Sequence, residues 1–277
     1  MSKTKTKISE TKIQCSNLAY TYPNGVEAVK GVNISISQGE VLSVVGQNGS
    51  GKTTLVKHFN GLLKPTEGKV MVGDLDSSEN PVGLLAQQVG YVFQNPNHQM
   101  FAASIREELS FGLKNLGIDS ETIEVKVNNI ADEFNLTEYL ELNPYRLGFS
   151  LRKTVGMASI IAMEPNVLIL DEPTTGQDFL GVKTIRANIN KLKSEGKTVI
   201  VVSHDMPLVA EETDRVLVMC DTELIFDGSP SKLFSNNDLL NKTNLKPPQI
   251  SSFTTSVGIA KANEAILSVG DALKAIK

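Results

Sequence analysis

Short apolar runs alternate with amphipathic stretches along most of the chain, a pattern typical of strands that alternate with helices. From Ile13 to Ile36, apolar and polar residues alternate around turn signals such as Pro23-Asn24-Gly25, which predicts a pair of strands. Strands that are separated by helices indicate a mostly parallel sheet. Further strands are predicted at Val41–Val45, Gly68–Gly73, Val89–Phe93, Val167–Leu170, Thr198–Val202, Val216–Met219 and Glu223–Phe226.

Helical spacing dominates the middle of the chain. Between about residues 97 and 163 strand signals are few, so this part is predicted to be an inserted helical subdomain. Helices are predicted there at Ser104–Asn115, Ser120–Phe134 and Leu151–Met163. Outside it, helices are predicted from the end of the glycine-rich segment to about Asn60, at Phe179–Ser194 and at Leu208–Glu212.

Composition predicts three units along the chain. Residues 1–11 are polar and predict a flexible tail, and residues 12–235 carry the strand–helix alternation. After about residue 235 the chain is rich in Asn, Lys, Pro and Ser, so residues 236–277 are predicted to be a C-terminal extension. Within the extension, the Ala-rich stretch Ile259–Ile276 is predicted to be helical.

Charge and cysteine content argue against several classes of protein. The chain has 277 residues, and 27 Lys and Arg against 31 Asp and Glu give a net charge of −4, which does not suggest a nucleic-acid-binding protein. Cys15 and Cys220 belong to no Cys or His cluster, so neither a disulfide framework nor a zinc site is expected. The N-terminus lacks the apolar region of a secretory signal, and no apolar run approaches the roughly 20 residues that span a bilayer. If the protein acts at a membrane, another chain must hold it there.

One glycine-rich segment carries the strongest chemical signal. It matches GxxxxGK[ST] between a predicted strand and a predicted helix, which is the context that this phosphate-binding loop needs. Glycines let backbone N–H groups turn toward phosphate oxygens, and the helix N-terminus adds partial positive charge. Lys52 is expected to reach the β- and γ-phosphates, and the Thr53 hydroxyl to ligate Mg²⁺. A chance glycine-rich turn is the alternative. The loop residues expected to bind nucleotide are Gly46, Gln47, Asn48, Gly49, Ser50, Gly51, Lys52, Thr53 and Thr54.

Polar side chains follow three other predicted strands. Asp171 ends an apolar strand and suits Mg²⁺, while Glu172 is placed to polarise an attacking water. His204 could hydrogen-bond a γ-phosphate or the water, and a histidine that only satisfies a strand end is the alternative. Gln94 could reach Mg²⁺ and sense the γ-phosphate, and a solvated glutamine is its alternative. The candidate catalytic residues are thus Glu172, His204 and Gln94, and the candidate Mg²⁺ ligands are Thr53, Gln94 and Asp171.

In this order, the motifs resemble the ATPase subunit of ABC transporters over residues 13–235. The phosphate loop corresponds to Walker A, Val167–Glu172 to Walker B, Gln94 to the Q-loop, residues 175–178 to the D-loop, and His204 to the switch histidine. The resemblance implies an α/β fold of the P-loop NTPase (RecA-like) type: a mostly parallel sheet core, an antiparallel β subdomain and an inserted α-helical subdomain. It also implies ATP and Mg²⁺ as cofactors, and ATP hydrolysis coupled to transmembrane transport. Tyr22 would stack on adenine, with ordinary strand packing as the alternative.

Three stretches look like the energy-coupling factor (ECF) ATPases within that superfamily. They are Tyr22-Pro-Asn-Gly, Phe93-Gln-Asn-Pro-Asn-His-Gln and Asp171-Glu-Pro-Thr-Thr-Gly-Gln-Asp, and the tail Leu245-Lys-Pro-Pro-Gln is also similar. ECF ATPases pair as dimers and power a transmembrane scaffold protein and a small membrane substrate-binding subunit, which import vitamins or transition-metal ions. The resemblance therefore implies these partners, no nucleic acid, and a peripheral location on the cytoplasmic face of the membrane. The stretch from Gln94 to about Phe111 would form the groove for a transmembrane coupling helix.

The ABC signature, LSGGQ, is altered in this chain. Its position reads Leu147-Gly148-Phe149-Ser150-Leu151. In the family, the signature contacts the γ-phosphate held by the other subunit, and close approach of backbone to phosphate favours glycine. Phe149 adds bulk there, so the site that uses this signature should be impaired. A heterodimer with an intact partner is therefore expected, and a homodimer in which Arg152 and a helix N-terminus compensate is the alternative.

Other classes of protein remain open at this stage. An ATPase of another ABC importer or an ABC exporter is the nearest alternative. A non-transport ABC ATPase of DNA repair, cohesion or translation is less favoured, because the chain has no room for a long coiled coil and carries one cassette. A regulatory protein that binds ATP without hydrolysis would explain Phe149, but the retained Glu172 argues against it.

Overall fold

The computed structural model describes residues 11–260 and 265–276. Its strands are β1 (Thr11–Thr21), β2 (Glu27–Ser37), β3 (Val41–Gly46), β4 (Glu67–Val72), β5 (Leu75–Asp76), β6 (Val89–Val92), β7 (Val167–Asp171), β8 (Thr198–Val202), β9 (Arg215–Cys220) and β10 (Glu223–Gly228). Its α-helices are α1 (Lys52–Phe59), α2 (Val82–Leu85), α3 (Ile105–Asn115), α4 (Ser120–Glu133), α5 (Phe149–Ile161), α6 (Phe179–Ser194), α7 (Met206–Glu212), α8 (Pro230–Phe234), α9 (Asn237–Thr243), α10 (Gln249–Ser256) and α11 (Val269–Ile276). Short 3₁₀ turns lie at Pro96–His98, Thr137–Tyr139 and Pro144–Arg146.

Two sheets organise the described residues. One is a four-stranded antiparallel sheet in the order β2-β1-β4-β5, and the other has six strands in the order β10-β9-β3-β8-β7-β6. In the larger sheet every neighbouring pair is parallel except β9 and β10. Helices α3, α4 and α5 lie between β6 and β7 in the chain. The expected α/β fold, with its mostly parallel core, antiparallel sheet and helical insertion, is confirmed.

Side chains of the larger sheet alternate between two cores, because successive residues of a strand point to opposite faces. Leu168, Leu170 and Val199 pack with α3, α4, α5 and α6 on one face. Ile169 and Ile200 pack with α1 and the antiparallel sheet on the other. Strands that are buried on both faces form nearly continuous apolar runs. This is why β3, β7 and β8 stand out in the sequence.

The predicted elements agree with the structure to within a few residues over the strand–helix framework. Helix α6 and strand β8 have the predicted bounds, and α5 begins two residues before Leu151. The predicted tail lies outside the described residues except for Thr11, which begins β1. The division into units at residues 12–235 and 236–277, and the limits of 97 and 163 for the helical subdomain, stay predictions.

The single helix predicted at Ile259–Ile276 is wrong. Helix α10 ends at Ser256, and Gly258 follows in the left-handed region with φ of 73°, where a helix stops. Helix α11 begins only at Val269, and residues 261–264 are outside the described part. The extension also contains α9 and α10, which are seven and eight residues long and were not predicted, and the five-residue helix α8 lies just before it. At the end of α9, residues 243–245 line a hollow beside Gln47 and His204.

Candidate active site

Four polar segments meet at one edge of the larger sheet. The glycine-rich loop follows β3, His204 follows β8, Glu172 follows β7 and Gln94 follows β6. These strands are adjacent and parallel in the order β3-β8-β7-β6, so their carboxyl ends lie side by side. In open α/β sheets, ligands bind in the crevice outside these ends. The fold therefore brings together segments that lie far apart in the sequence.

The phosphate loop has a backbone that only glycine permits at two positions. Gly46 and Gly51 have φ of 146° and 96°. A Cβ at Gly46 would lie 2.1 Å from the carbonyl oxygen of Met219, and one at Gly51 would lie 2.1 Å from that of Ala28. The loop is thus pressed against β9 and β2, and its open side faces the cleft. Gly51 is the N-cap of α1 without any side-chain cap, which leaves that helix end available to an anion.

Lys52 and Ser50 place polar groups inside the loop. The Lys52 ammonium is buried and donates hydrogen bonds to the carbonyl oxygens of Gly46 at 2.9 Å and Gln47 at 2.8 Å. Burial lowers the pKa of Lys52, and the charges of Glu172 and Asp171 oppose that shift. The Ser50 hydroxyl is buried and has no hydrogen-bond partner. A buried hydroxyl without a partner is costly unless a ligand satisfies it, so this loop fits a phosphate.

Asp171 is held from two sides. Its Oδ1 accepts a hydrogen bond from the Thr53 hydroxyl at 3.3 Å, and its Oδ2 accepts one from the buried Tyr91 hydroxyl at 2.7 Å. Thr53 begins the phosphate helix, while Tyr91 lies on the neighbouring strand β6. The carboxylate is therefore fixed beside the threonine hydroxyl, which is an oxygen pair that Mg²⁺ accepts.

Glu172 and His204 form a pair at the mouth of the cleft. The Glu172 Oε1 lies 3.2 Å from the His204 Nε2, and Glu172 is buried whereas His204 is exposed. Burial raises the pKa of Glu172, and Asp171 adds to that effect. Burial and the Lys52 charge lower the pKa of His204, which favours its neutral imidazole. A carboxylate with a raised pKa is suited to accept a proton near neutrality.

A cleft of about 510 Å³ brings most of the expected residues together. Tyr22 lies on its wall, where its hydroxyl is 2.9 Å from the Thr54 hydroxyl and its ring packs edge-on against Tyr20. Gln94 also lines the cleft and is exposed. Expected residues lining the cleft are Tyr22, Asn48, Gly49, Gly51, Lys52, Thr53, Thr54, Gln94, Glu172 and His204. Gly46, Gln47 and Asn48 border the neighbouring hollow.

Two residues at the site were missed from the sequence. Tyr91 looked like one more residue of a buried strand, and Lys153 is a buried lysine in α5 that reaches the backbone after β7. A hydroxyl within an apolar strand and a lysine just before the uncharged part of a predicted helix were the available signals. Neither signal indicates which residue is contacted, because Asp171 and Glu172 are not neighbours of Tyr91 and Lys153 in the sequence.

Comparison with known proteins identifies the family. The model of the ABC transporter family matches residues 29–175. The chain belongs to the ABC transporter ATPase family. It is 35% identical over 277 residues to the energy-coupling factor transporter ATP-binding protein EcfA of Methanosphaera stadtmanae, with 98% of each chain covered. The ABC family is thus shown by both a family model and a full-length relative.

Solved structures agree with this assignment. CbiO1 from Clostridium perfringens, part of the ABC transporter complex cbiONQ, has a TM-score of 0.74 and 34% identity, covering 89% of this chain and 99% of that one. The ATP-binding cassette MJ0796, a dimer bound to ADP and phosphate after hydrolysis, has a TM-score of 0.73 and 25% identity. The match covers 79% of this chain and 98% of that one. The chain is an ATP-hydrolysing member of an ABC family whose ATPases work as dimers. Across residues 11–260 and 265–276, each helix is too short or too polar to cross a bilayer.

Proposed function

We propose that this chain is the ATP-hydrolysing subunit of an ECF-type importer of vitamins or transition-metal ions. One observation carries the proposal: the phosphate loop and the Glu172–His204 pair line a single cleft, in a chain with a full-length relative of the ECF class. The importer part rests on that relative and on the likeness to CbiO1. The hydrolytic part rests on the geometry of the cleft.

In the proposed reaction, ATP lies with its phosphates on the loop and its adenine against Tyr22. Water attacks the γ-phosphorus in line while the bond to the β–γ bridging oxygen breaks, which releases ADP and phosphate. Glu172 orients the water and takes its proton, and His204, whose Nε2 lies 3.2 Å from the Glu172 carboxylate, hydrogen-bonds the γ-phosphate. Lys52 offsets the charge on the β- and γ-phosphates.

Thr53, Asp171 and Gln94 are proposed to hold Mg²⁺. The hydroxyl and carboxylate oxygens of Thr53 and Asp171 are of the kind that Mg²⁺ accepts, and they lie within 3.3 Å of each other. When bound, the ion supplies positive charge to the phosphate oxygens. Among the described residues, no group of three or more His, Cys, Asp and Glu could hold a metal alone. This is consistent with an ion that is held by few protein ligands together with substrate phosphates.

The dimer is proposed to be a heterodimer. Gly148 is the N-cap of α5 without a side-chain cap, and the Phe149 ring, 37% exposed, occupies the position of a family glycine. In a head-to-tail dimer this signature would face the partner's nucleotide, and the bulk of Phe149 disfavours close approach of phosphate. The nucleotide bound by this chain would be closed by the partner's signature. A partner with an intact signature would therefore leave one competent site, the one that contains Glu172.

A second groove supports attachment to a membrane protein. It has a volume of about 320 Å³ and is lined by Phe93, Phe101 and Phe111 together with residues of α2 and α5. Phe101 and Phe111 are 60% and 46% exposed, and their rings pack edge-on with the ring centroids 4.5 Å apart. Exposed apolar rings of this kind mark interaction sites. We propose that a coupling helix of the scaffold subunit binds here, which holds the chain at the cytoplasmic face of the membrane.

Two polar residues of the stretch predicted to form this groove differ in their placement. Gln99 lines it, but its amide is engaged within the chain: Nε2 donates to the Gly156 carbonyl at 2.7 Å, and Oε1 accepts from the Phe93 amide at 3.3 Å. His98 is exposed and is not among the lining residues. Phe101 is therefore the candidate that is left to face a partner.

The test is affinity purification of the tagged full chain from detergent-solubilised native membranes, with all co-purifying proteins identified. We expect a second ABC ATPase with an intact signature, a multi-span scaffold and a small membrane protein. Recovery of this chain alone, or with ribosomes or DNA, would contradict the transport role. Recovery of membrane domains with a soluble binding protein, or of a fused exporter, would favour the second candidate, an ATPase of another ABC transporter.

A further inference from the structure

The N-terminal turns of α5 contact the segment that carries Glu172. The ammonium of Lys153, only 4% exposed, donates hydrogen bonds to the carbonyl oxygens of Glu172 and Thr175, the latter at 3.1 Å. The Glu172 carbonyl also accepts from the Thr175 amide at 3.3 Å. A buried ammonium needs hydrogen-bond acceptors, and here two backbone carbonyls of one turn accept from it.

The altered signature residues contact the rest of the same turn. The Phe149 ring lies against Gly176, where an added Cβ would be 2.7 Å from a ring carbon. The Ser150 hydroxyl donates to the Gln177 side-chain oxygen at 2.9 Å, and the Gln177 amide lies 3.4 Å from the Ser150 carbonyl oxygen. Side chains of α5 therefore meet both ends of residues 172–177 within the same subunit.

The backbone of Glu172 needs such support. Its φ of 49° lies in the left-handed region, which is strained for a residue that is not glycine. Strained conformations persist only where the surroundings over-determine them. The Glu172 amide donates to the Val202 carbonyl at 2.8 Å, so β8 fixes one side of the residue and Lys153 fixes its carbonyl on the other.

We propose that Lys153 is a positioning residue, which holds the backbone of Glu172 and the following turn so that the carboxylate points into the cleft. The altered signature then serves the nucleotide site of its own subunit: Phe149 and Ser150 brace residues 176 and 177, and Lys153 braces residues 172 and 175. This inference rests on the proposed catalytic role of Glu172. It adds that the altered signature, which family resemblance assigns to the partner's nucleotide site, also supports the nucleotide site of its own subunit.

The test compares Lys153→Met with Lys153→Arg in the full chain, purified together with the partners it retains. Methionine keeps the length of the side chain but has no donor, whereas arginine keeps a charged donor. Because small misplacements at a reacting centre cost up to about 100-fold in rate, we expect kcat of Lys153→Met to fall about 10- to 100-fold. Nucleotide affinity should stay within about twofold, since the phosphate loop is untouched. Lys153→Arg should recover most of the kcat.

The control is Lys191→Met, which removes a lysine that pairs with Glu133 on the surface of α6, outside the cleft. Wild-type turnover by Lys153→Met, alongside inactive Glu172→Gln, would overturn the positioning role and leave Glu172 as the base. Wild-type turnover by Glu172→Gln would instead overturn the catalytic role, and the inference with it. If Lys153→Met fails to fold, Ser150→Ala decides, because it removes the hydrogen bond to Gln177 and leaves Phe149 in place. A fall in kcat at unchanged nucleotide affinity supports the brace, and unchanged or increased kcat overturns it.

Discussion

The Tyr91 hydroxyl donates a 2.7 Å hydrogen bond to Oδ2 of Asp171, and both side chains are buried. The bond crosses from β6 to β7 and leaves Oδ1 to face the Thr53 hydroxyl. A buried carboxylate oxygen that loses its partner is costly. Tyr91 thus sets the orientation of the carboxylate to which we assign Mg²⁺, without itself facing the nucleotide.

We expect Tyr91→Phe to weaken Mg²⁺ binding. Loss of one hydrogen bond of about 1 kcal/mol corresponds to about a fivefold higher Mg²⁺ concentration at half-saturation. The measurement is a Mg²⁺ titration of a fluorescent ATP analogue bound to the full chain, so that it does not depend on turnover. Tyr145→Phe is the matched control, because its hydroxyl bonds the Met100 carbonyl at 3.0 Å outside the cleft. Equal Mg²⁺ curves for Tyr91→Phe and wild type would contradict the orienting role.

Lys153 also predicts a pH dependence of turnover. Burial lowers its pKa to about 8, and the facing charges of Glu172 and Asp171 oppose this shift. As pH rises through about 8, the ammonium loses its charge, and charge-assisted bonds to the Glu172 and Thr175 carbonyls become weaker neutral ones. Wild-type kcat should therefore decline on the alkaline side, while Lys153→Arg should hold its kcat there because arginine stays charged. The same alkaline decline in both proteins would contradict this role of the charge.

The sequence predicted the polar residues that line the cleft, but it did not predict the residues that hold them in place. The phosphate loop, Asp171, Glu172 and His204 were found because each follows a strand whose apolar run is legible on its own. That these strands are neighbours, and hence that the residues meet, followed only from the family resemblance. Lys153 and Tyr91 were missed because their partners are set by how α5 and β6 pack on β7. Helices α8, α9 and α10 were missed because five to eight residues carry too little periodicity.

We expect the membrane subunits to bind at the groove lined by Phe101. Phe101→Asp places a charge on an exposed ring position at the mouth of that groove, so we expect the multi-span proteins to be lost from the affinity-purified complex. ATP binding by the chain should be unchanged, because the groove and the nucleotide cleft share no lining residue. Val125→Asp is the control, since Val125 is 55% exposed on α4 outside the groove. Retention of the membrane proteins by Phe101→Asp would place the docking surface elsewhere.

The most direct test of ATP hydrolysis in this cleft is single-turnover hydrolysis by Glu172→Gln in the purified complex, with nucleotide affinity measured on the same sample. Glutamine keeps the shape of the side chain and can still accept from His204, but it cannot take a proton from water. We predict that hydrolysis is lost while ATP affinity stays at the wild-type value. Because the site closed by this chain's own signature is proposed to be impaired, the partner should not rescue turnover. Hydrolysis at the wild-type rate would show that Glu172 is not the base.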